Sequence, residues 1–276
     1  MLLAIRQAIA SGIAKAILVG DEPSIKAFLE KVDMPPGVEI VHEESIECAA
    51  LKAVELVSSG RADIVMKGLV NSSDFLKAVL NADVGLRTGR LLSHLAAYEI
   101  PGSDRLVFHT DGGMNIAPSL SEKKQILINA LLAMHAMGIT KPNVAILTAN
   151  EQVNPKMPAT VDAKDLMDLC LAGQLPAATV EGPIAMDVII SPEAAKHKGI
   201  KSQISGNVDL ILHPNIETGN AVGKSMIYYG KAKMAGLVLG ATHPIVMTSR
   251  AETPEGKLNS IAMACLISQG NFGKRN

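Results

Sequence analysis

The segment Thr248-Ser249-Arg250-Ala251-Glu252-Thr253-Pro254-Glu255 sets a hydroxyl beside a guanidinium just ahead of a helical pattern. Thr253 suits an N-cap and Pro254 the first helical position. A helix start offers unpaired N–H groups and a partial positive charge, and Arg250 adds a two-pronged donor. The chemistry this spacing suits is the holding of a phosphate. Without that chemistry, the same residues make a turn with a surface arginine.

Four other segments carry groups of interest. His213-Pro214-Asn215-Ile216-Glu217-Thr218-Gly219-Asn220 follows an apolar run and precedes a helical pattern; its small and polar residues permit close approach of a ligand, or simply turn the chain. Lys67 ends the apolar run Ile64-Val65-Met66, and Lys77, Arg87, Thr88 and Arg90 follow. Such cations near one strand end could hold the phosphates of coenzyme A, or lie solvated on the surface. Phe108-His109-Thr110-Asp111-Gly112-Gly113-Met114-Asn115 puts Asp111 and Asn115 around a Gly-Gly pair, which makes a plain turn or the wall of a site. Glu181-Gly182-Pro183 with Asp187 is acidic, but no His or Cys stands at ligand spacing, so a structural role is favoured over a metal site. The sequence has no G-x-G-x-x-G, no G-x-x-x-x-G-K-[ST] and no G-x-S-x-G.

These segments need strands to end on and helices to begin. The pattern predicts strands at 16–19, 38–41, 64–66, 106–109, 144–147, 210–212, 237–239 and 245–247. It predicts helices at 24–32, 45–58, 73–81, 121–137, 163–171, 218–229 and 254–268, with a short amphipathic helix at the start. Alternation of this kind predicts an α/β fold with a parallel sheet covered on both faces. Gly138 to Asn143 reads as a crossing into a second domain and 240–244 as the return. The expected domains are therefore 1–138 with 242–276, and 139–241.

Composition agrees. Of 276 residues, 48% are hydrophobic and 19% charged, enough to fold throughout. Aromatics are 3% and net charge is -1, so the stacking platforms and basic patches of nucleic-acid binders are missing and no nucleic-acid partner is expected. Cys48, Cys170 and Cys265 stand far apart and read as buried thiols in a reducing cytoplasm. The start makes a poor signal peptide, and the apolar stretch 235–247 is too short and interrupted to span a bilayer, so no membrane partner is expected.

Taken in order, these segments resemble the phosphate acetyl/butyryltransferase family from about Lys67 onward. The most specific stretches are Glu181-Gly182-Pro183 with Asp187, Ser205-Gly206-Asn207-Val208-Asp209 through Asn215, Gly219-Asn220, and Pro244 through Thr248-Ser249-Arg250. Met66-Lys67-Gly68-Leu69, Asp74 to Leu80 and Gly85-Leu86-Arg87-Thr88-Gly89 look like the butyryltransferase branch.

The resemblance implies a two-domain α/β/α sandwich like isocitrate and isopropylmalate dehydrogenases, with an interdomain cleft site and a homodimer. It implies that acyl-CoA and phosphate give acyl phosphate and CoA, with CoA as substrate, no tightly bound cofactor and no metal. Ser249 and Arg250 match the pair that meets the phosphate and the thioester carbonyl, and Lys77 stands where acetyl enzymes have an arginine. Lys67, Arg87, Thr88, Asp111, Asn115, Asn215, Asn220 and Thr248 complete the expected binding residues.

Two departures matter. The cysteine that acetyl enzymes often carry after the Asp is Gly112 here. The Asp seven residues after the Ser, thought to deprotonate the CoA thiol, is Gly256, and Glu255 is the expected substitute. Two other readings share the sequence: an NAD-dependent dehydrogenase of the same fold class, and a non-catalytic CoA-binding protein.

Overall fold

The computed structural model describes residues 1–249 and 251–270. Their contacts divide the chain into two units, Met1–Arg90 with the chain from Ala235, and Leu91–Met234. The contacts put the return at Ala235, where the sequence pattern expected a change after 241. The outward crossing falls at Arg90 and not at the Gly138 turn, because the strands and helix that precede that turn pack within the second unit.

The first unit opens with α1 (Leu2–Ala10), β1 (Ile17–Gly20), α2 (Glu22–Lys31), β2 (Glu39–His42), α3 (Ile46–Ser58), β3 (Val65–Met66) and α4 (Ser72–Val79). Side-chain caps start the helices: Asp21 accepts from Ser24 N, Ser45 from Cys48 N and Asn71 from Asp74 N. The second unit runs through β4 (Ser93–Glu99), β5 (Leu106–Thr110), α5 (Leu120–Ala136), β6 (Asn143–Leu147), α6 (Pro158–Leu171) and β7 (Thr179–Ile184). It continues with α7 (Met186–Ile190), α8 (Pro192–His197), β8 (Leu210–Leu212) and α9 (Ile216–Tyr228). A full capping box, Ser119 with Glu122, starts α5. The chain returns through β9 (Lys233–Leu239), β10 (Ile245–Val246) and α10 (Pro254–Gln269), the last capped by Thr253 with Pro254 in its first turn.

In the first unit β1 pairs in parallel with β2, and the order β3-β10-β9 has β10 parallel to β3 and antiparallel to β9. In the second unit the order is β4-β5-β8-β6-β7, parallel except for the β4–β5 pair. The fold is α/β as expected, with a mixed rather than purely parallel sheet.

Two strands escaped the sequence pattern. β4, SHLAAYE, is alanine-rich yet almost wholly buried. β7, TVEGPI, holds Gly182 and Pro183, which a strand tolerates here because β7 ends the sheet order and pairs only with β6. A Cβ at Gly182 would stand 2.7 Å from Ile146 Cβ, so glycine lets β7 lie close to β6.

The cores are aliphatic. Ile204, Val188, Ile211 and Ala145 form one cluster in the second unit, while Ala4, Ile5, Ala8 and Ile261 join α1 to α10 in the first. The cysteines depart from expectation: Cys48 is exposed on α3, and Cys170 and Cys265 are half-buried. Burial pushes the Cys170 and Cys265 thiols up, away from thiolate reactivity.

Candidate functional site

In the first unit Lys67, Thr248 and Ser249 stand at the ends of β3 and β10. Because these strands are parallel, with Val246 opposite Met66, Lys67 and Met247 leave the sheet at the same end. Lys67 N donates to Val246 O at 2.9 Å. Its ammonium donates to Val70 O at 2.8 Å and Gly68 O at 3.4 Å, so it ties its own loop.

Beyond β10, Thr248 is half-buried and Ser249 is exposed. The Ser249 hydroxyl accepts from Ala251 N at 3.3 Å and its carbonyl from Glu252 N at 3.1 Å, which closes a turn directly ahead of α10. Arg250 lies outside the described residues. Glu255 is exposed in the first turn of α10.

Thr88 serves the frame: its hydroxyl donates to Gly240 O and accepts from Arg90 N at 3.1 Å. Lys77 and Arg87 are exposed, and Lys77 meets Asp74 at 3.2 Å on its own helix. No contact among the described residues links Lys77 or Arg87 to the Ser249 turn.

In the second unit four expected groups gather at the ends of β5 and β8, again parallel neighbours. Asp111 is 2% exposed. Its Oδ1 accepts from Gly113 N (2.8 Å) and Met114 N (2.9 Å), and its Oδ2 from His94 N (3.1 Å) and Asn115 Nδ2 (2.6 Å). Asn115 Nδ2 also donates to Leu92 O at 2.9 Å. Asp111 and Asn115 therefore spend their hydrogen bonds on holding the loop. Asn215 caps α9, its Oδ1 accepting from Thr218 N at 2.9 Å and Thr218 Oγ1 at 2.7 Å. Asn220, exposed one turn on, donates to Gly112 O at 3.3 Å.

The glycine at 112 has a structural cause. A Cβ there would stand 2.8 Å from the Gly219 carbonyl carbon, and one at Gly219 would stand 2.7 Å from both Asp111 O and Gly112 Cα. Loop and helix meet backbone to backbone, leaving no room for a cysteine side chain unless they part.

Sequence reasoning missed the histidines beneath this loop. His109 Nδ1 and His213 Nε2 stand 2.9 Å apart, both rings buried, and Tyr98 meets His109 edge-on at 5.0 Å between centroids. Burial lowers the pKa of His109 to about 3, aided by His213, and that of His213 to about 4 against the pull of Asp111. Both rings are thus neutral at pH 7, one donating to the other. Burial also lowers His94, with the Asp111 charge opposing. The sequence signal was partial: His109 lies near the end of the apolar run 106–110 and His213 directly follows the run 210–212.

Glu181 and Asp187 each have partners within the second unit. Glu181 accepts from Ser202 Oγ at 2.6 Å and Gln203 N at 2.7 Å, and Asp187 pairs with Lys198 at 2.9 Å. Among the described residues no cluster of His, Cys, Asp or Glu could hold a metal, and no helix is long and apolar enough to cross a membrane.

The architecture is that of the phosphotransacylases. A branched-chain phosphotransacylase from Enterococcus faecalis superposes with a TM-score of 0.80 at 31% identity, covering 92% of this chain and 99% of that one. A 4-hydroxythreonine-4-phosphate dehydrogenase from Klebsiella pneumoniae, at 13% identity and TM-score 0.59 over 97% and 95% of the two chains, shares the fold alone.

Residues 37–265 match the family described as Phosphate acetyl/butaryl transferase, and the chain belongs to it. Phosphate butyryltransferase of Clostridium acetobutylicum is 48% identical over 269 residues, 97% of this chain and 89% of that protein.

Proposed function

We propose that this protein is an acyltransferase that moves a short-chain acyl group, butyryl or similar in size, between the sulfur of CoA and inorganic phosphate. The observation that carries the reading is the Ser249 turn. It stands where β10 ends and α10 begins, in a chain whose relatives of nearly full length include a phosphate butyryltransferase.

Phosphate at neutral pH is already an anion, so attack on the thioester asks for positioning rather than for a strong base. Arg250 offsets phosphate charge with two parallel donors. The Ser249 hydroxyl donates to the carbonyl oxygen as it becomes negative in the tetrahedral transition state. The start of α10 adds its N–H groups and partial positive charge. Lys67, Lys77, Arg87 and Thr248 bind substrate phosphates, whereas Asp111, Asn115, Asn215 and Asn220 shape the wall that the substrate meets. CoA is a substrate, no cofactor is held tightly, and the enzyme works in the cytoplasm as a homodimer.

Butyryl-CoA mixed with phosphate should release free thiol, followed with a colour reagent. Arg250→Ala should cut turnover by on the order of 1,000-fold with the unfolding curve unchanged. Near-normal turnover in that variant would remove the assignment.

A further inference from the structure

We propose that Glu252, not Glu255, is the carboxylate that takes the proton from the CoA thiol, an assignment resting on the acyl-transfer reading above. A thiol with an ordinary pKa of about 8.5 is mostly protonated at pH 7, so the direction that forms the thioester needs a base close to the reacting carbonyl. Two carboxylates belong to the segment that follows Ser249, and the structure treats them differently. Glu255 is exposed on the first turn of α10. Glu252 is half-buried and closes the Ser249 turn, its N–H donating to Ser249 O at 3.1 Å.

The Glu252 side chain folds back over the start of α10. Its Oε1 accepts from Thr253 N at 3.1 Å, and its Cδ would stand 2.8 Å from a Cβ at position 256. The carboxylate therefore occupies the space beside position 256 that a side chain there would enter. Among the described residues no donor reaches its other oxygen, Oε2, which is left to receive a proton.

The step balances. The S–H bond breaks and its proton passes to Glu252 while the sulfur electron pair forms the S–C bond to the acyl carbonyl carbon. The C–O bond to phosphate then breaks, its electron pair leaves with phosphate, and Glu252 returns the proton to solvent. In reverse, Glu252 protonates the departing thiolate. At one pH both directions fall together when the base is removed, so the diagnostic is the pH profile rather than a preference for direction.

The test follows thioester formation from butyryl phosphate and CoA between pH 6.5 and 9.5 in the wild type, Glu252→Gln and Glu255→Gln. Glu252→Gln should lose about 100-fold or more at pH 7, and the loss should shrink as pH passes the thiol's own value of about 8.5. Any loss in Glu255→Gln should be the same at every pH. A pH-independent loss in Glu252→Gln, no loss there, or a loss in Glu255→Gln that high pH repairs would each overturn the assignment. Should Glu252→Gln fail to fold, Glu252→Asp carries the test. It should lose at least about 10-fold at pH 7 and recover towards pH 9, and a loss of equal size at every pH overturns the proposal. A wild-type protein that makes no thioester overturns the acyl-transfer reading itself, a separate outcome.

Discussion

At the end of β5 a carboxylate is 2% exposed and accepts four hydrogen bonds from its own surroundings; at the end of β10 a hydroxyl is exposed and accepts one. Both residues stand where a parallel strand stops, the place where ligands of such sheets bind. The Asp111 loop has used its polar capacity internally and presses its backbone on α9 at Gly219. The Ser249 hydroxyl is exposed, accepts a single 3.3 Å bond among the described residues, and sits before a helix start. Residues of similar prominence in the sequence thus divide into one buried and fully bonded and one exposed with a single bond.

The widest gap between the two should appear in stability. Asp111→Ala removes the one acceptor shared by the N–H groups of His94, Gly113 and Met114 and by the amide of Asn115. Losing four part-buried bonds to a charged acceptor should cost about 3–4 kcal/mol in urea unfolding, seen as a lower midpoint at unchanged slope. A cost below about 1 kcal/mol would mean that the loop is held by something other than this carboxylate.

Acid should act on the same side of the comparison, and by a similar amount only at the acid end of the range. In the folded protein His109 and His213 hold pKa values of about 3 and about 4, whereas in the unfolded chain they titrate near 6.5. Lowering pH below about 6.5 therefore gives protons to the unfolded state first. The stability these rings contribute is complete above that value and falls by about 1.4 kcal/mol per pH unit for each group until the folded values are reached. Denaturant midpoints taken from pH 7.5 to 5 should decline accordingly. His213→Gln should flatten part of the decline, and a wild-type profile level across that window would remove the histidine pair as its cause.

Much of this was legible from residue patterns, and the failures share a cause. The cap and proline at Thr253-Pro254 marked the start of α10 to the residue, and Leu210–Leu212 was read at its observed bounds, because caps and short apolar runs act locally. β4 and β7 were not legible: alanine, glycine and proline argue against strands by propensity, and only burial against β5 and β6 overrides them. The first domain boundary was misplaced for the same reason. Gly138 ends a helix, but what joins β5 to β8 is hydrogen bonding over a span of about a hundred residues that no local signal carries. Asp111 and Asn115 were singled out by sequence but not as a closed network, since the partners of Asp111 include His94 from β4. The Glu252 side chain beside Gly256 was likewise invisible, because only the turn back onto Ser249 brings it there.

Ser249→Ala makes the smallest expected change in stability and therefore the sharpest separation of the two regions. The hydroxyl accepts one 3.3 Å bond from Ala251 N at an exposed position, where water can replace it, so the cost in unfolding should stay below about 0.5 kcal/mol. Turnover of butyryl-CoA with phosphate should nonetheless fall roughly 100- to 1,000-fold, the usual loss when one donor to a developing oxyanion is removed. Asp111→Ala should show the reverse pairing, with activity lost in proportion to the folded fraction. If Ser249→Ala instead unfolds the protein, or keeps full turnover, then the exposed hydroxyl is part of the frame after all, and the difference between the two strand ends is one of burial alone.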